Sequence, residues 1–223
     1  MNYKEVIEAK YNREAWQQLL HDIFLNKVQF YNSTSEVKVN SRLAKSALYI
    51  GRISLSDGES LGIYEVELAD KVDIERNKRG IRDMLTKDWK DMGHAGAFMF
   101  CYRKNESVLR FSYVSETWGF NKKGDYEKLS TNTKRYTYLL GEGRGCRTAI
   151  EQFNALKDSK QSLSDVTAAF SVEALTKQFY KDLFDWYQWA VDPASGVYFP
   201  NNTSTEDDDR EDIETKIIRM ITR

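Results

Sequence analysis

Two glutamates two residues apart, Glu65 and Glu67, carry the most direct chemical signal in this chain. They stand in Leu61-Gly-Ile-Tyr-Glu-Val-Glu-Leu68, a run whose alternation predicts a strand with Leu61, Ile63, Glu65 and Glu67 on one face. Two carboxylates thus extend an otherwise apolar face. Burying an unpaired carboxylate is costly, so each must find a cation, a base or solvent. Oxygens at this spacing can hold a hard divalent metal, with Asp57 just upstream as a third ligand. The plain alternative is a strand end emerging into water, its glutamates paired to Arg52 or Arg110.

Hairpin geometry limits the first option. If Asp57-Gly58 closes a tight two-residue turn, Glu65 lies opposite roughly Gly51. Asp57 is then on the order of 20 Å from Glu65. A shared metal requires a wider loop, or another acid such as Glu14 or Asp22 from the first helix.

The elements that must position these groups follow from periodicity. Arg13 to Leu25 reads as a helix with Trp16, Leu19, Leu20, Ile23 and Phe24 on one face. Strands are expected over 47–56 and 61–69, joined by the Asp57-Gly58 turn. Asp73 resembles an N-cap for a helix over 74–89. Ala95 to Tyr102 reads as a buried strand, followed by a strand over 108–115, a polar lysine-rich loop over 119–133 and a strand over 135–140. A helix over 147–156, a turn at Ser164-Asp165 and a long helix over 172–191 complete the body. This order predicts an α/β layer: a mixed central sheet flanked by helices, with additional helices at the C-terminal end. Residues 1–191 form the expected domain and 192–210, holding both prolines, a linker. Residues 211–223 space Ile213, Ile217, Ile218 and Ile221 on one helical face, as the truncated start of a helical connector would.

Composition adds boundaries. The chain has 223 residues and a net charge of −1. Basic side chains outnumber acidic ones over 71–90 and 121–148, which permits phosphate contact without requiring it. No apolar run approaches the roughly 18 residues that cross a bilayer, and no membrane partner is expected. Cys101 and Cys146 are too few for a disulfide framework; reduced thiols and a cytoplasmic location are the expectation.

The order of strand, Asp57, strand with Glu65-x-Glu67, helix and strand is similar to the core of the PD-(D/E)xK nucleases. Ile74-Glu-Arg-Asn-Lys-Arg-Gly-Ile-Arg82, Lys134-Arg-Tyr-Thr-Tyr-Leu-Leu-Gly141, Phe170-Ser-Val-Glu173 and Ile217-Ile-Arg-Met-Ile-Thr-Arg223 resemble the N-terminal part of type IIG restriction–modification enzymes. That resemblance spans most of the chain from Ala47 onward. It implies a restriction-endonuclease-like fold and a site-specific deoxyribonuclease fragment using Mg²⁺. Its partners would be double-stranded DNA and C-terminal methyltransferase and target-recognition domains absent from this chain. Asp57, Glu65 and Glu67 would be catalytic, with Asp57 and Glu65 on the metal. Glu67 stands where a lysine is usual. Lys71, Arg76, Lys78 and Arg79 would contact DNA phosphates, as would Lys122 and Lys123 beside Trp118 and Phe120. The missing lysine leaves room for an alternative, a catalytically silent nuclease-like module that binds DNA or docks.

Other signals are weaker. Gly141-Glu-Gly-Arg-Gly145 between a strand and a helix resembles a glycine-rich cofactor loop, and a cofactor-binding protein is the third reading. Glycine in such a turn more often serves backbone geometry. His21 and His94 have no Cys or His at metal spacing, which argues against zinc.

Overall fold

A computed structural model describes residues 1–75, 78–120, 126–130, 136–192 and Ala194. The chain divides into two compact units, Met1–Ala174 and Leu175–Arg223. The second holds most of helix α6 (Val172–Val191) and the expected linker and connector segments.

The first unit is a mixed sheet with helices on its faces. Helices α1 (Tyr3–Ile7) and α2 (Arg13–Phe24) lead through a 3₁₀ turn at Leu25–Lys27 into strands β1 (Val28–Glu36), β2 (Ala44–Ser54) and β3 (Ser60–Leu68). Helix α3 (Lys78–Asp91) crosses to β4 (Gly96–Tyr102). Strands β5 (Leu109–Phe120), β6 (Tyr126–Ser130) and β7 (Thr137–Leu140) precede helices α4 (Arg147–Asp158) and α5 (Leu163–Phe170). The sheet runs β1-β2-β3-β4-β5-β6, with β7 also on β5. Among the described residues, only β3 and β4 pair in parallel, as expected of two strands joined through a helix.

Alternation sorts β3 as the sequence predicts. Tyr64, Val66 and Leu68 join Ala97, Met99 and Cys101 of β4 in one core layer, beneath Leu85 and Trp89 of α3. Leu61, Ile63, Glu65 and Glu67 therefore face the other side. There Trp16 of α2 packs on Phe100 and Phe111 at 5.1 and 5.2 Å between centroids, and Phe100 stacks on Phe111 at 4.6 Å. Phe153 of α4 and Phe170 of α5 close that layer. Each such aromatic contributes about 1.5–3 kcal/mol by burial.

Three local expectations change. The polar loop over 119–133 is in part a ladder: Trp118 pairs with Lys128 and Phe120 with Tyr126. Backbone hydrogen bonds form there despite the lysines. The turn at Ser164-Asp165 is the first turn of α5. Ser162 caps it: Asp165 N donates to Ser162 Oγ at 3.3 Å, and Ser162 N donates back to Asp165 Oδ2 at 2.9 Å, a reciprocal capping box. The helix expected from Ile74 is described from Lys78; before it, Asp73 Oδ1 accepts from Glu75 N at 2.8 Å in a separate turn.

Candidate functional site

Strand β3 ends beside the parallel β4, and Glu65 and Glu67 lie there, opposite Phe100 and Tyr102. Open α/β sheets bind ligands outside the carboxyl ends of their strands. Glu65 is only 3% exposed. Its Oε1 accepts from Tyr11 Oη at 2.6 Å and from Arg13 Nε at 2.9 Å, and its Oε2 accepts from Arg13 Nη2. A two-pronged guanidinium and a phenol thus satisfy both oxygens. The pair with Glu65 raises the Arg13 pKa. Burial, and then Glu65, hold the Tyr11 phenol protonated far above its ordinary range. The Tyr11 ring packs on Phe100 and Tyr102, with centroids 5.5 and 4.7 Å away.

Glu67 is also buried and also paired. Lys104 Nζ lies 3.0 Å from Oε2 and Lys45 Nζ 3.9 Å from Oε1. Lys45 reaches the exposed Asp70 as well, at 2.7 Å. Arg52 and Arg110, the expected partners, reach other acceptors. Arg52 donates to Gln29 Oε1 at 3.2 Å. Arg110 is buried and donates to the Ile74 carbonyl at 3.0 Å.

Asp57 sits at the other end of the hairpin. Ser54 pairs with Ser60, and Leu55 N donates to the Glu59 carbonyl at 2.8 Å. The turn is wider than two residues, and Gly58 takes the left-handed conformation at φ +85° that glycine tolerates best. From Ser60 to Glu65 the strand covers about 17 Å, and Asp57 lies beyond Ser60. Its carboxylate is used locally: Oδ1 accepts from Glu59 N at 3.3 Å and Oδ2 from Leu163 N at 2.7 Å. Asp57 therefore caps the N-terminus of α5 and is not brought to Glu65. The alternative acids do not fill the gap. Glu14 is exposed on α2, while Asp22 accepts from Tyr3 at 2.6 Å and Lys157 at 2.9 Å.

Among the described residues, no group of three or more His, Cys, Asp or Glu could hold a metal ion. The oxygens of Glu65 and Glu67 are right in kind for Mg²⁺. As arranged, three cations pair with them and a neutral phenol donates to Glu65, and among the described residues no third acid joins them to hold a metal. The pair does not fit a resident divalent ion in this conformation.

Of the expected phosphate-contacting residues, Lys71 is exposed in the turn that leaves β3. Lys78 and Arg79 open α3, with side chains outside the described set. Arg76, Lys122 and Lys123 lie outside the described residues. The residues that dominate the site, Tyr11, Arg13, Lys45 and Lys104, were not singled out by sequence reasoning. One signal existed. Arg13 follows the N-cap Asn12, whose Oδ1 accepts from Ala15 N at 2.9 Å. A cation there opposes the helix dipole, so a compensating acid was to be sought.

The glycine loop is ordinary in structure. Gly141 at φ +112° lies so close to the Ser107 carbonyl that a Cβ would meet it at 2.1 Å. Arg144 pairs with Glu75. His94 is enclosed by polar partners: Tyr49 Oη lies 2.9 Å from Nε2 and Ser60 Oγ 2.8 Å from Nδ1. Among the described residues, no helix is long and apolar enough to cross a membrane. No protein-family model, curated protein or solved structure matches the chain.

Proposed function

We propose that this chain is a nuclease-like α/β module of a restriction–modification protein that docks on double-stranded DNA. One observation carries the reading. Arg13, Lys45 and Lys104 stand partly or largely exposed around the C-terminal end of β3, above two buried carboxylates. Lys71 lies just beyond the same strand end. Such a rim suits the phosphate backbone, which fixes register and orientation without reading sequence. The resemblance to restriction–modification enzymes supplies the class of partner, and the α2-β1-β2-β3-α3-β4 order agrees with the nuclease-type core it implies.

Mg²⁺-dependent hydrolysis of DNA is the second reading. What favours it is that Arg13 is 39% exposed, so its guanidinium can leave Glu65 without disrupting the aromatic layer. Two assays on the full chain separate the readings. Anisotropy with a labelled duplex is expected to show binding that weakens steeply with salt; no binding at low salt overturns the docking reading. Incubation of supercoiled plasmid with Mg²⁺ or Mn²⁺ is expected to give no nicking. Nicking that disappears in Glu65→Ala and Glu67→Ala would install hydrolysis in its place.

A further inference from the structure

We infer that Arg13, Lys45 and Lys104 form a metal-independent seat for a backbone phosphate of nucleic acid, in which Glu65 and Glu67 orient the cations instead of holding a divalent ion. This deepens the DNA-docking reading and rests on it. The disagreement between the acid pair and a resident metal is its starting point.

Exposure is graded from acid to cation. The Glu65 and Glu67 side chains are 3% and 11% exposed, against 39% for Arg13, 47% for Lys45 and 71% for Lys104. An incoming anion meets Arg13 and Lys104 before Glu65 and Glu67, which lie behind them, while Lys45 is shared with the exposed Asp70. The donors are also only partly spent. A guanidinium has five N–H donors in a fixed fork, and Glu65 takes two from Arg13. The remaining three have no protein acceptor among the described residues. Lys104 has three donors and one close carboxylate oxygen, Glu67 Oε2.

Three different elements deliver the cations. Arg13 is the first residue of α2, Lys45 lies at the start of β2 and Lys104 in the turn after β4. Glu67 sits between the two lysines, one on each oxygen. A long side chain braced by a buried carboxylate loses less freedom when it captures a ligand. Glu65 and Glu67 therefore act as positioning residues.

The experiment is duplex binding by the full chain across a salt series, once in EDTA and once in Mg²⁺ at matched ionic strength. Affinity in Mg²⁺ is expected to be no tighter than in EDTA. Lys104→Ala is expected to weaken binding and to shallow the slope of log K against log salt by about 0.9, the loss of one phosphate contact. Glu67→Gln, which loosens the two lysines, is expected to weaken binding by the same factor in EDTA and in Mg²⁺, with the fold of both variants checked by thermal melting. Binding that appears only with Mg²⁺ and vanishes in Glu67→Gln overturns the inference, as does an unchanged slope in both Lys104→Ala and Lys45→Ala. Failure to bind duplex in either buffer instead overturns the docking reading itself.

Discussion

Removing Arg13 should expose how much the fold depends on the Glu65 clamp. Arg13→Ala takes away both guanidinium contacts and leaves Glu65, 3% exposed, with Tyr11 as its remaining hydrogen-bond donor. Breaking a fully buried ion pair costs about 3–5 kcal/mol, because the remaining charge is stranded. Here the cation is 39% exposed, so water can enter the vacated space and restore part of the solvation. We discount the cost to about 2 kcal/mol, or a fall of about 4–8 °C in Tm for a unit of this size. Glu65→Gln keeps the Tyr11 partner and frees Arg13 to turn outward, so it should cost about 1 kcal/mol. The double change Arg13→Met with Glu65→Leu removes both charges beside Phe100 and Tyr102. It should recover most of the loss, ending within about 1 kcal/mol of the parent. Urea unfolding followed by tryptophan fluorescence reads all three midpoints. A loss below about 0.5 kcal/mol for Arg13→Ala, or a double variant weaker than the sum of the singles, would refute the view that Glu65 depends on this partner.

Three further outcomes are expected. Asp57→Ala removes the acceptor of Leu163 N and should cost about 1 kcal/mol, the usual worth of a helix cap, while duplex binding stays at the parental level; calorimetry and anisotropy check the two halves. His94 has its pKa lowered, by burial first and then by Arg52, with Asp88 opposing. Its folded value lies below the unfolded one near 6.5, so its contribution is complete above that pH and declines as pH falls through the interval beneath it. Urea midpoints should therefore drop more between pH 7.5 and 5.5 in the parent than in His94→Gln, and equal drops would contradict this. Burial pushes the Cys101 thiol up to about 12 and also raises Cys146. Neither thiol should react quickly with a disulfide reagent at pH 8 until urea unfolds the chain; rapid native labelling of Cys101 would show that its strand opens.

Sequence reading reached what is governed by local period. Alternation over Leu61–Leu68 placed Glu65 and Glu67 on one face, and the spacing of Trp16, Leu19, Leu20, Ile23 and Phe24 gave α2 within a residue of its observed bounds. Strand β1 escaped because it lies at the sheet edge, where its residues alternate weakly between buried and exposed and cross-strand bonding rather than an apolar face holds it. Helix α5 escaped because Ser162-x-x-Asp165 is a capping box that also reads as a turn. The register of the central hairpin was off by three residues. The turn is wider than two residues, and a bulge between Tyr49 and Gly51 puts Leu48 opposite Glu65.

The partners of Glu65 were illegible for a different reason. Arg13 is 52 residues away in sequence and Tyr11 is 54, and nothing local in β3 names them. Tyr11 belongs to the short link between α1 and α2, and Arg13 is the first residue of α2. That link is anchored on its N-terminal side, where Gly141 N donates to the Ile7 carbonyl at 2.9 Å and Cys146 Sγ to Glu8 at 3.2 Å. With Ile7 fully buried, α1 and the first turn of α2 both fix the intervening residues 8–12 against the sheet. Tyr11 and Arg13 are thereby presented to β3 with little freedom left to lose, which lowers the entropic cost of forming three hydrogen bonds to a single carboxylate. An acid in an apolar strand thus marks where a distant segment must dock. Whether it serves a metal or a guanidinium depends on what that segment brings, and here it brings a cation of its own.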